Sequence, residues 1–395
     1  DHRDLHSFPT RRSSDLLNTL NDILDFSQIE AQRLEIRPEP FVIRDCVEHT
    51  VRSLAVHADP ATLEVACIIA GEVPEWVVGD AGRLRQILIN LVGNALKFTS
   101  RGEVVVCVEE LERAGADTKL HFSVRDTGVG IPHDKQKSIF DAFFQVDSSL
   151  TRAHGGVGLG LAISSQLAGL MGGVMWVDSE PGRGSTFHFT IRCGIAPSQP
   201  AAGEVERRQA LKNLPVLVVD DNASSRLAAA DLLRGYGMLP ATAAGGDEAL
   251  AYLEQMVNQG RSCPVVLTDI LMPGMDGLTL ASRIAHDPRF AGCAVIAMAG
   301  LRQRGDLRAG VAAHLSKPLV RTEVVETIAR VLDSRRQIQA AAPGAPLHPP
   351  RKLHILVVED NPVNQLVAVR LLQKHGYSTA RSEEHTSELQ SRQYL

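Results

Sequence analysis

One segment of this chain occurs twice, and that repeat restricts the fold more than any other feature. Leu217-Val218-Val219-Asp220-Asp221-Asn222 returns as Leu356-Val357-Val358-Glu359-Asp360-Asn361, and Leu232, Leu233 and Gly237 return in the same register as Leu371, Leu372 and Gly376. Self-similarity of this kind marks one domain type used twice. Each copy opens with a continuous apolar run that ends in two acids and passes into a helical pattern. A strand without polar alternation has to be covered on both faces, so the complete first copy predicts a parallel sheet between two layers of helices. Three of its predicted strand ends carry charge: Asp220 and Asp221 after the first, Asp269 after Val265-Val266-Leu267-Thr268, and Lys317-Pro318 after a later short strand. Acids in such places can be mere helix caps. They are also the parts that phosphoryl transfer to a carboxylate needs: oxygens for a divalent ion, an in-line acceptor and a balancing cation.

Upstream, residues 41–193 mix amphipathic helices with alternating strands such as Glu103-Val104-Val105-Val106-Cys107-Val108. The chain has no G-x-x-x-x-G-K-[ST] loop, which removes a P-loop reading. Four other clusters point to a nucleotide. On the helix predicted over Arg85–Phe98, Asn90, Asn94 and Lys97 recur at i, i+4 and i+7 and share one face. Amide oxygens suit a hydrated Mg²⁺ and an ammonium suits phosphate, although alone this is as well explained by a polar helix face. Asp126-Thr127-Gly128-Val129-Gly130 follows a strand at Leu120–Val124; a carboxylate at a strand end can accept from an adenine amino group, and Gly128 and Gly130 let backbone come close. Gly155-Gly156-Val157-Gly158-Leu159-Gly160 leads into a helix at Ala162–Leu170, with Arg152 just before it. Amides at a helix start attract phosphate, and the glycines permit a mobile lid. Gly182-Arg183-Gly184-Ser185-Thr186-Phe187 then turns into a last strand.

In this order the clusters resemble the N, G1, F, G2 and G3 boxes of the histidine-kinase ATPase domain, with Ile139-Phe140-Asp141-Ala142-Phe143-Phe144 as the F box and Pro74, Gly79, Asp80 and Arg83 as the lead-in. The repeated domain resembles a response-regulator receiver, and the chain as a whole resembles part of a hybrid sensor histidine kinase. The resemblance implies a multidomain α/β protein: an α/β-sandwich ATPase domain, a doubly wound, flavodoxin-like receiver with strand order 2-1-3-4-5, and a truncated second receiver. It implies ATP and Mg²⁺ as cofactors. Asn94 would bind Mg²⁺, Asp126 would read adenine, Asn90, Lys97 and Arg152 would contact phosphates or their water shell, and Thr186 would support the base end. Gly128, Gly130, Gly156, Gly158 and Gly160 would let backbone approach the nucleotide, and Asn90 and Lys97 are the expected catalytic pair. Val157 stands where the family often has Thr, which implies weaker lid contacts. In the receiver, Asp269 would be the phosphoacceptor, with Asp220, Asp221 and Asp269 at the metal and Lys317 balancing charge. Ala299 replaces the family's Ser or Thr hydroxyl, and His314 takes the position of its aromatic switch residue, which implies an acceptor poorly coupled to conformational change.

Residues 17–37 carry Leu17, Leu20, Ile23 and Leu24 at helical spacing, a stripe that needs a partner surface. Asn21-Asp22-Ile23-Leu24-Asp25-Phe26-Ser27 resembles the second helix of the family's dimerisation and phosphoacceptor hairpin, which implies a homodimer; no His here lies in the family's acceptor context. The ATPase domain is expected over 38–195, linkers over 196–212 and 336–352, the receiver over 213–335 and the second receiver over 353–380, beginning its acid pair at Glu359 and Asp360. Residues 7–16 and 381–391 look like translations of sequencing-library adapters, so 1–16 and 381–395 are set apart from the fold. A net charge of −5 with no basic stripe gives no footing for nucleic acid. Six Cys without C-x-x-C pairing suit a reducing compartment, and no apolar run reaches the ~20 residues of a membrane helix. These place this stretch in the cytoplasm and leave a parent anchored in the inner membrane open. The expected partners are a histidine phosphotransfer protein or a response regulator. Competing readings are a chaperone- or topoisomerase-type ATPase, disfavoured by Asn90 where those use Glu, a non-catalytic receiver scaffold, and a phosphatase of the same signalling system.

Overall fold

The computed structural model describes residues 23–144, 158–197, 203–300 and 310–340, with residue 20 and short stretches between 354 and 381. The chain divides into two compact units, residues 1–335 and 336–395, and the first holds two domains.

The first domain is a mixed sheet with helices on one face. Its strands are β1 (Glu39–Val42), β2 (Leu63–Ile69), β3 (Trp76–Gly79), β4 (Gly102–Ala114), β5 (Asp117–Asp126), β6 (Met175–Glu180) and β7 (Gly184–Ile195), in the order β1-β3-β7-β5-β4-β2 with β6 on β7. The helices are α1 (Ile43–Ala55), α2 (Ala81–Phe98) and α3 (Gly160–Leu170). Strict alternation makes this layering: Leu120, Phe122 and Val124 of β5 and Phe187, Phe189 and Ile191 of β7 are buried and meet the apolar stripe of α2, Leu84, Ile87, Leu88, Leu91, Val92 and Ala95. The Phe122 and Phe189 rings stack with centroids 4.6 Å apart. The α2 helix begins four residues before the expected Arg85, because Asp80 caps it by accepting from the Arg83 N–H at 3.0 Å, an arrangement that contributes about 1 kcal/mol.

Residues 23–30 are helical. Asp25 holds this segment to α2 through Arg83 at 3.1 Å and Gln86 at 2.8 Å, while Leu20, Ile23 and Leu24 stay exposed.

The second domain has five parallel strands, β8 (Pro215–Val219), β9 (Leu239–Ala243), β10 (Val265–Asp269), β11 (Ala294–Gly300) and β12 (Val311–Lys317), ordered β9-β8-β10-β11-β12. This is the 2-1-3-4-5 order of the doubly wound fold. Val216 and Val218 face one core, Leu217 and Val219 the other, so the unbroken apolar strand is covered on both sides. The surrounding helices are α4 (Glu204–Leu211), α5 (Ala223–Gly235), α6 (Gly246–Asn258), α7 (Gly277–His286) and α8 (Arg321–Ala340).

The α4 helix corrects the expectation of a plain linker over 196–212. Glu204 and Glu206 sit in its first turn and Arg208 in its last, as the helix dipole favours. Leu211 anchors it among Val216, Leu233 and Tyr236.

In the second unit β13 (His354–Val357) pairs in parallel with β14 (Ser378–Arg381), and Leu356 and Leu366 are exposed. Glu359 and Asp360 lie outside the described residues. Among the described residues no helix is long and apolar enough to cross a membrane.

The stacked phenylalanines lead to one expectation. Phe122→Ala should lower the stability of the first domain by about 3–5 kcal/mol, measured as the shift of its urea unfolding transition; an unmoved transition would contradict this packing.

Candidate functional site

The first candidate site forms where α2, α3 and the end of β5 meet. Asn90 and Asn94 are half-buried and Lys97 is exposed on the face of α2 turned from the core. The Asn94 side-chain NH₂ donates to Asn90 Oδ1 at 3.3 Å, and the Asn90 NH₂ donates to Ser164 Oγ of α3 at 2.9 Å. The two amides are therefore chained and fixed in orientation. Gly160 makes the approach of α3 possible, since a Cβ there would lie 2.3 Å from Asn90 Oδ1.

Asp126 ends β5 almost fully buried. Its Oδ1 accepts from the Gly128 N–H at 2.8 Å. Burial pushes this carboxyl above the ordinary range, against the pull of the Gly128 and Ser185 N–H groups. A Cβ on Gly128 would meet the Phe98 carbonyl at 2.4 Å, so the glycine turn rests on the last residue of α2, next to Lys97. The Lys97 ammonium lies 5.0 Å from the Phe98 ring centroid.

The expected role of Thr186 needs correction. Thr186 pairs across the sheet with Arg125, whereas Ser185 pairs with Asp126. Alternation then puts Ser185, with Phe187 and Phe189, on the helix-covered face and Thr186 on the other. Ser185 is thus the residue of that turn that supports Asp126, and its hydroxyl meets Ser179 Oγ at 2.9 Å. Ser179 also accepts from the Ile131 N–H at 2.7 Å, tying the Asp126 turn to the Gly184 turn. Neither Ser164 nor Ser179 belongs to a motif cluster, so the sequence offered no signal for them.

The expected F box holds the 3₁₀ turn Ser138–Phe140 with Ile139 buried. The Phe143 N–H donates to the Gly158 carbonyl at 3.0 Å, and the Phe143 ring meets Phe26 edge-on at 5.9 Å. Arg152, Gly156 and Val157 lie outside the described residues.

The second candidate site lies at the carboxyl ends of β8, β10 and β12. Lys317 Nζ is 2.6 Å from Asp269 Oδ2 and 2.8 Å from Asp220 Oδ2. Asp220 and Asp269 are buried, Asp221 is exposed, and one oxygen from each of the three lies within 4.8 Å of the others. Burial pushes the Asp220 carboxyl up to about 6, with Lys317 opposing it, and raises Asp269 in the same way. Burial works against the Lys317 ammonium, yet the surrounding carboxylates hold its pKa above the ordinary lysine range. An all-oxygen donor set with two desolvated carboxylates fits a hard divalent cation of the Mg²⁺ kind.

Helix capping does not explain these acids. Asn222 caps α5 by accepting from the Ser225 N–H at 2.8 Å, and Asp276 caps α7 by accepting from the Thr279 N–H at 2.6 Å. Ala299 is buried on β11 opposite Ser316, and His314 stands on β12 opposite Ala297.

Residues 79–195 match the family described as histidine kinase-, DNA gyrase B-, and HSP90-like ATPase, and residues 216–329 match the response regulator receiver domain. The chain is 39% identical over 223 residues to the signal transduction histidine-protein kinase BarA of Escherichia coli K12, covering 56% of this chain and 24% of that protein. It is 32% identical over 371 residues to the sensor histidine kinase GacS of Pseudomonas protegens, covering 93% of this chain and 40% of GacS. The chain thus spans about a quarter to two fifths of the length of these relatives. The crystal structure of full-length ShkA in complex with AMPPNP is similar with a TM-score of 0.62 and 29% identity, covering 94% of this chain and 73% of that one. With an α/β-sandwich ATPase domain followed by a doubly wound receiver, the chain belongs with the hybrid sensor histidine kinases.

Proposed function

We propose that this chain is the ATP-binding and receiver portion of a protein-histidine kinase that works in a two-component phosphorelay. The observation that carries the reading is the pairing of the Asp126 turn with the amide-bearing helix α2. A buried carboxylate at a strand tip lies beside a helix whose outer face holds Asn90, Asn94 and Lys97. In this reading Asp126 accepts from the adenine amino group, Asn90 and Asn94 offer amide oxygens toward Mg²⁺ and its waters, and Lys97 meets phosphate oxygens as a point charge. The AMPPNP bound to the related ShkA supports a nucleotide of this class.

The phosphoryl group would pass to a histidine on a partner helix hairpin and from there to Asp269. In the second step an Asp269 oxygen forms the new bond to phosphorus as the N–P bond of the phosphohistidine breaks, and the electron pair leaves with the imidazole. Mg²⁺ held by Asp220, Asp221 and Asp269 would supply charge neutralisation at the transferred group. Lys317 stays paired with Asp269 and balances the acyl phosphate. A homodimer through the hairpin and a histidine phosphotransfer protein or response regulator as recipient complete the reading, with the described domains in the cytoplasm. Ala299 favours a second reading for the receiver alone: without a hydroxyl at that position it binds partners with a weak switch.

Two experiments test this reading. Binding of a fluorescent ATP analogue with Mg²⁺ to the full chain should weaken about ten- to a hundredfold in Asp126→Ala, the value of a lost hydrogen bond to a charged group; undiminished binding would overturn the nucleotide assignment. Lys317→Met should destabilise the receiver by about 3–5 kcal/mol in EDTA, because it strips the partner from buried carboxylates. An unchanged urea midpoint would remove Lys317 from its central place.

A further inference from the structure

The third partner of Lys317 comes from the other domain. Glu64, on the edge strand β2 of the ATPase domain, places Oε1 2.7 Å from Lys317 Nζ and accepts from Ser225 Oγ at 2.5 Å. The Lys317 ammonium donates hydrogen bonds to Glu64 and Asp269 and lies within ion-pair distance of Asp220. The contact is part of a wider charge match. Arg321, four residues past Lys317, pairs with Glu75, and its N–H donates to Glu48 Oε2 at 2.7 Å; in the opposite sense Arg52 pairs with Glu323. The α5 helix, which starts beside the acid cluster, packs along β2. A cavity of about 230 Å³ bordered by Glu64 and Gly102 on one side and Asp221, Asp269 and Lys317 on the other remains at this junction.

We propose that the face formed by α1 and β2 of the ATPase domain is a docking surface for the receiver of the same chain, and that Glu64 occupies the phosphoryl position of that receiver. The proposal rests on the reading of Asp269 as phosphoacceptor. A phosphoryl group on Asp269 needs Lys317 as its counter-charge, and the Glu64 carboxylate already takes that place. Lys317 already balances Asp220, Asp269 and Glu64, and the further negative charge of a phosphoryl group on Asp269 would compete with Glu64 for that single ammonium, so docking and phosphorylation oppose each other. Phosphorylation of Asp269 therefore releases the ATPase domain from the receiver, and the docked state resists phosphorylation in proportion to its population.

The test uses the full chain with Mg²⁺ and ³²P-labelled acetyl phosphate. An Asp269 oxygen forms the bond to phosphorus as the P–O bond to acetate breaks, and acetate leaves with the electron pair. Labelling should be on the order of ten times faster in Glu64→Ala, and equally so in Glu323→Arg, which sets Arg against Arg52 away from the acid cluster. Asp269→Asn should remain unlabelled. Equal rates in the unmodified chain and both variants, with Asp269→Asn blank, would overturn the docking proposal and leave the phosphoacceptor assignment standing. Acceleration in Glu64→Ala alone would also overturn it, because removal of a local charge would then suffice. Absence of Asp269-dependent label in every chain would instead overturn the phosphoacceptor reading, and the proposal with it.

Discussion

Two desolvated carboxylates a few ångströms apart repel each other, and Asp220 and Asp269 coexist because Lys317 Nζ lies 2.8 and 2.6 Å from them. That arrangement sets the terms for everything else at the receiver site. A divalent cation held by Asp220, Asp221 and Asp269 would relieve the same repulsion. On the proposed reading a phosphoryl group on Asp269 would add charge beside Lys317, and a carboxylate from outside would compete for the same ammonium. Glu64 supplies such a carboxylate. On that reading the site would respond to cation, phosphate and domain position through a single charge balance.

The nucleotide cleft works on a different principle, that of close backbone approach. Gly160 lets α3 reach Asn90, Gly128 lets the Asp126 turn rest on the end of α2, and Ser179 bridges that turn to the last strand. The outcome is a buried acceptor at Asp126 and a chained pair of amides on rigid elements. Preorganisation of this kind leaves little ordering cost to a ligand. The candidate groups reside on helix and strand elements whose other faces are fastened in the core by Leu91, Phe122 and Phe187.

Much of this was legible in the sequence, for identifiable reasons. The unbroken apolar run before Asp220 required cover on both faces, and the two cores provide it. The i, i+4, i+7 spacing of Asn90, Asn94 and Lys97 put them on one face of α2, because helical period depends only on local geometry. Strand register is less forgiving: a one-residue step changes the face, and that step separates Thr186 from Ser185, which pairs with Asp126. The α4 helix was hidden by linker-like composition, since a single buried Leu211 decides its packing. Glu64 carried no signal at all. It is a single acid on the otherwise apolar strand β2, and its partner lies 253 residues further along the chain.

The account turns on Asp269 being the carboxylate that takes up phosphate. Reductive trapping of the acyl phosphate with borohydride, after exposure of the full chain to acetyl phosphate and Mg²⁺, followed by peptide mass mapping, locates the modified side chain directly. The account predicts conversion at Asp269 alone. Modification at Asp220, Asp221 or a histidine, with Asp269 intact, would contradict it.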